Sequence, residues 1–126
     1  MQILAALFID TIDLRQVEGP STRIDLGGIR FSQVAPDGFP DNLEPHLVVL
    51  VHNPVDGEAD GVLEVTYWRD GEQIARNVQP LQVEPGKFNY RLVRAELSFD
   101  EPGTVEARCR IGQSDPMVVP LTVLAG

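Results

Sequence analysis

The stretch Thr104-Val105-Glu106-Ala107-Arg108-Cys109-Arg110-Ile111 decides the fold. Val105, Ala107, Cys109 and Ile111 are apolar, and they alternate with Thr104, Glu106, Arg108 and Arg110. Successive side chains of a strand point to opposite faces, so this period of two predicts a strand with one face in a core and the other in water. Downstream, Gln113-Ser114-Asp115-Pro116 separates it from Met117 to Leu124, where Met117, Val119, Leu121 and Val123 share one parity. The two segments read as a hairpin. Upstream, Asp70-Gly71 lies between Leu63-Glu64-Val65-Thr66-Tyr67-Trp68-Arg69 and Glu72-Gln73-Ile74-Ala75. Both turn positions tolerate positive φ, which predicts a second hairpin.

The same texture extends over the chain. The 11 glycines and 10 prolines punctuate short segments rich in Val, Ile, Leu and Thr, the pattern of many short strands in an all-β protein. Met1 to Ile9 reads as the first strand, since it lacks the basic region of a leader peptide and Asp10 ends its apolar run. His46-Leu47-Val48-Val49-Leu50-Val51-His52 is apolar on both parities, which fits either a strand covered on both sides or one lying in a contact surface. Phe88, Tyr90 and Leu92 keep one parity while Val93, Ala95, Leu97 and Phe99 keep the other. That change predicts a bulge or sheet switch near Leu92-Val93, with a short helix over 91–97 as the competing reading. Loops are expected at 35–44, 53–61 and 79–87.

Size and charge narrow the function. At 126 residues, of which 43% are hydrophobic, the chain fits one domain spanning residues 1–126. A net charge of -9, with Lys87 the single lysine, argues against nucleic acid and against an anionic membrane surface. No apolar run reaches the length of a membrane helix. Cys109 is the only cysteine, so no internal disulfide forms, and a cytoplasmic location is expected.

Each candidate site has a simpler structural explanation. Asp56, Glu58 and Asp60 alternate before Gly61 like the first half of a calcium loop, but Tyr67 stands where a bidentate glutamate is needed, so a solvated turn is the better account. His46 and His52 lie about 20 Å apart along one strand, too far to share a metal. The serines lack a nucleophile-elbow glycine context, and Cys109 falls on a core parity. Gly27-Gly28 lacks the lysine and the remaining glycines of a phosphate loop. We therefore expect no catalytic residue, no metal and no cofactor. Trp68 points outward if Tyr67 faces the core, which makes it a candidate partner anchor, unless it caps the end of the fold near the turn. Trp68, His46 and His52 are the expected partner contacts.

Two segments resemble immunoglobulin-type signatures. Val65 to Gly71 resembles strand C, with Tyr67 where that family keeps its buried tryptophan, and Asp100 to Cys109 resembles the approach to strand F. The whole chain is similar to a family of small uncharacterised bacterial proteins with one sandwich domain. The similarity lies in Ala6-Leu7-Phe8-Ile9-Asp10, the Gly27-Gly28 turn, the Gly71 hairpin and Pro102-Gly103. These resemblances imply an immunoglobulin-like antiparallel β-sandwich of about 7 to 9 strands. The expected role is a non-enzymatic protein-protein interaction or assembly module of bacterial or phage origin, engaging a protein partner or itself. The alternative is a module binding a small ligand, sugar or calcium through the loops around Asp37, Asp56 and Lys87.

Overall fold

A computed structural model describes residues 1–15, 17–19, 21 and 23–126. Among them the chain is all-β, with twelve strands and no helix: β1 (Gln2–Ile9), β2 (Thr11–Arg15), β3 (Arg23–Gly27), β4 (Ser32–Ala35), β5 (Asp41–Leu43), β6 (His46–His52), β7 (Asp60–Arg69), β8 (Glu72–Gln82), β9 (Phe88–Arg94), β10 (Leu97–Phe99), β11 (Gly103–Ile111) and β12 (Met117–Ala125). Twelve exceeds the expected number because short strands of three to five residues, β2 to β5 and β10, join the long ones.

The strands form a three-stranded sheet ordered β1-β6-β9, a five-stranded sheet ordered β4-β12-β11-β7-β8, and the two-stranded pairs β2-β3 and β10-β5. Every ladder is antiparallel except β12 with β4, which run parallel. Both larger sheets contribute to one apolar cluster. Phe8, Leu47, Val49, Val51 and Val93 come from the first, and Leu63, Val65, Tyr67, Val105, Ala107, Cys109, Leu121 and Val123 from the second. Leu43, Leu97 and Phe99 of β5 and β10 close one side of it.

The two hairpins form as their turn residues require. At the β7-β8 turn Asp70 has φ 51° and Gly71 φ 78°, and β11 pairs with β12 from Gly103↔Val123 to Cys109↔Met117. A bulge falls in the β7-β8 ladder between Tyr67 and Trp68. The expected break near Leu92-Val93 is absent. β9 runs unbroken from Phe88 to Arg94 because Phe88, Tyr90 and Leu92 lie on one face of the strand and Val93 on the other, and the chain passes to the β10-β5 pair only after Ala95-Glu96. No helix forms over 91–97. All three expected loops also carry strand: β5 lies within 35–44, β7 begins at Asp60 within 53–61, and β8 continues through Pro80 to Gln82. Proline is compatible there because β8 is the edge of its sheet.

Candidate interaction surface

The register of the three-stranded sheet sorts its side chains into two faces. Residues directly opposite in an antiparallel pair share a face. Phe8↔Leu47, Ala6↔Val49 and Leu47↔Val93 point into the core cluster. The alternating pairs therefore point the other way: Leu7↔Val48↔Leu92, Ala5↔Leu50↔Tyr90, Ile9↔His46↔Arg94 and His52↔Phe88. This outer face is nearly as apolar as the inner one. Its central row, Leu7, Val48 and Leu92, buries Val48 completely under its neighbours, although Val48 is outside the core cluster. Phe88 is 64% exposed, Leu7, Leu50, Tyr90 and Leu92 are half-buried, and Ile9 is buried like Val48.

Charge sharpens the contrast. In a chain with a net charge of -9, no carboxylate falls on the paired positions of this face, and Arg94 is its one full charge. The doubly apolar segment 46–52 is thus central in its sheet, with one side facing the core and the other a contiguous apolar surface.

His46 and His52 mark the two ends of this face. His46 borders a shallow cleft with Asp10, Arg30 and Glu44, where Arg30 Nε donates to Asp10 Oδ1 at 2.9 Å. His52 stacks on Phe88, with ring centroids 4.5 Å apart and planes tilted by 40°. Trp68 lies elsewhere, on the outer side of the five-stranded sheet. Its indole Nε1 donates to Thr66 Oγ1 at 2.8 Å, and the Arg108 guanidinium sits 4.4 Å above its ring. The half-buried indole is therefore covered by its own sheet's side chains instead of standing free. Beside it Glu64 accepts hydrogen bonds from Arg76 and Arg110, and the Arg76 bond, aided by the Arg110 charge, holds its carboxyl below the usual glutamate range.

The remaining candidates do not converge. Asp56, Glu58 and Asp60 are all exposed, and Asp60 accepts from Gln82 Nε2 at 3.0 Å. Their loop is shaped by buried Asn53, whose Nδ2 donates to the carbonyls of Glu58 and Val83 at 2.9 and 2.7 Å. Among the described residues no three His, Cys, Asp or Glu side chains are grouped to hold a metal. Cys109 is buried, and desolvation pushes its thiol up to about 12.

Sequence reasoning flagged β6, and the first strand β1 for self-association, but missed Tyr90 and Leu92 beside them. Their signal was present in the parity Phe88, Tyr90 and Leu92 of β9. Only the register shows that the three rows coincide. The chain matches no protein-family model and no curated protein.

Proposed function

We propose that the protein is a non-enzymatic interaction or assembly module on an immunoglobulin-like sandwich, and that it docks a protein surface on the outer face of β1-β6-β9. The observation that carries this reading is the apolar row formed by half-buried Leu7, Leu50, Tyr90 and Leu92 and exposed Phe88, with no carboxylate among them, in an otherwise acidic chain. An antiparallel sheet that faced water on one side would alternate apolar and polar residues. A patch of this kind marks an interaction site because its burial releases water from apolar area at about 25 cal/mol per Å².

The strand order supports the immunoglobulin-like reading. In this reading β1, β6 and β9 would correspond to strands A, B and E, and β7, β11 and β12 to C, F and G. Tyr67 is fully buried on β7, and the paired residues Val65 and Cys109 link β7 to β11. The unpaired buried Cys109 fits the reducing cytoplasm, and a bacterial or phage origin is part of this proposal.

A photo-crosslinking residue placed at Leu92 tests the reading against one placed at Val118 on the other sheet. Crosslinks to protein, either a second copy or a foreign chain, are expected from position 92 and not from 118. Equal yields at both positions, or none at 92, would refute it.

A further inference from the structure

On the outer face of the five-stranded sheet the register sets Glu64, Thr66 and Trp68 of β7 opposite Arg110, Arg108 and Glu106 of β11, and Arg76 of β8 opposite Thr66. Opposed residues of an antiparallel pair share a face, so three arginines gather around one short stretch of β7. Glu64, Thr66, Trp68, Arg108 and Arg110, with Gln73 and Pro116 at the margin, line a shallow cleft of about 230 Å³. Its charge runs against that of the chain. Two arginines and one glutamate line it, a surplus of one positive charge in a molecule whose net charge is -9.

The hydrogen-bonding capacity of the cleft is one-sided. Glu64, the only carboxylate in its lining, is engaged through both oxygens: Oε1 accepts from Arg110 Nε at 3.1 Å and Oε2 from Arg76 Nη2 at 2.8 Å. Thr66 Oγ1 accepts from the Trp68 indole at 2.8 Å, which leaves the hydroxyl hydrogen free to donate. Arg108 is held differently. Its guanidinium lies 4.4 Å above the Trp68 ring, and its contact with Glu106, at 3.9 Å, is too long for a hydrogen bond. Stacking fixes the plane of that guanidinium without using its N–H donors.

We propose that this cleft binds a compact free oxyanion, a phosphate or a carboxylate, held between Arg108 and Arg110. Donors, charge and size select that chemistry. The donors call for a ligand rich in acceptors, and a guanidinium presents them in the planar fork that fits an oxyanion. A sugar, whose hydroxyls donate as well as accept, would find the one carboxylate already occupied, and a cation would meet the positive surplus. The volume of about 230 Å³ falls below the roughly 300 Å³ at which pockets for drug-sized ligands begin. Two residues on one face of a strand stand about 6.6 Å apart, so one small anion can touch both guanidinium groups. The cleft lies on the sheet opposite the apolar docking face, and neither depends on the other.

Trp68 is the only tryptophan of the chain and Arg108 sits on its ring, so its emission reports on this site. Inorganic phosphate and succinate are titrated separately into the purified chain, at an ionic strength held constant with sodium chloride, and followed by Trp68 emission and by calorimetry. At least one of them is expected to bind saturably with a dissociation constant of about 1 mM or tighter. Arg108→Gln and Arg110→Gln, at side chains 37% and 43% exposed, should keep the fold, which the melting curve verifies. Each should weaken binding about tenfold or more, whereas Lys87→Gln, a cation outside the cleft, should leave it unchanged. A response to phosphate alone assigns the site to phosphate and one to succinate alone to carboxylates, and either supports it. No saturable response to either anion, or one that the two arginine variants leave untouched or that Lys87→Gln weakens equally, would overturn the proposal.

Discussion

Two side chains in the core have properties that their surroundings dictate. Tyr67 is fully buried and its hydroxyl has no hydrogen-bond partner, while desolvation and the neighbouring Cys109 thiol push its pKa far above the ordinary tyrosine value. An unpartnered buried hydroxyl costs more than it contributes, so Tyr67→Phe should leave stability unchanged or raise it by up to about 1 kcal/mol. Urea unfolding checks this, and a loss of stability would mean the hydroxyl is satisfied in solution. Cys109 should stay inert to a thiol-specific chromogen at pH 8 and react in full once the chain is unfolded, because its thiolate is disfavoured by burial. Both groups are acids whose folded pKa is raised. Their contribution to stability is complete below the unfolded pKa and declines as pH rises toward the folded value of about 12 for Cys109. Thermal melts of the wild type should therefore fall above about pH 9, and less steeply in a Tyr67→Phe, Cys109→Ala double variant.

At the scale of elements, the hairpins were legible because their turns and patterns are local. Asp70-Gly71 supplies the positive φ its turn uses, and the alternation over 104–111 is the burial pattern of β11. The β9 register was not legible, since Leu92 followed by Val93 reads the same whether the two lie on opposite faces of one strand or on two sheets. The two-stranded ribbon β2-β3 was missed for a related reason: Ile12, Leu14, Ile24 and Leu26 alternate correctly but sit in short runs that only pairing joins. Its base offers a test. Gly28 has φ +65°, and a Cβ there would collide with the Asp10 carboxylate. Gly28→Val should cost about 1 to 3 kcal/mol and break the Asp10–Arg30 pair, with the loss seen as faster amide exchange over β2 and β3. Exchange spread equally over the whole chain would argue against a locally anchored ribbon. On the opposite sheet, Glu64 between Arg76 and Arg110 has a lowered pKa, so its contribution is present above the ordinary glutamate range and lost as pH falls below that range through the lowered folded value. Glu64→Gln should flatten the acid limb of the stability curve, and an unchanged limb would show that this ion trio is fully screened.

For the whole molecule, the all-β class followed from composition and period, while the candidate site did not. Trp68, the most conspicuous single residue, is covered by Arg108, and the surface lies instead where three strands each bring a modest apolar row into register. Such a surface belongs to no one segment of sequence, and His46 and His52 only frame it. The most direct test of its role is the size at which the chain migrates in an extract of the cells that naturally express it, compared between wild type and a Leu50→Lys, Leu92→Lys variant that retains its melting temperature. The account predicts a wild type travelling well above 13.9 kDa and a variant travelling at that mass. Identical migration of the two would contradict it.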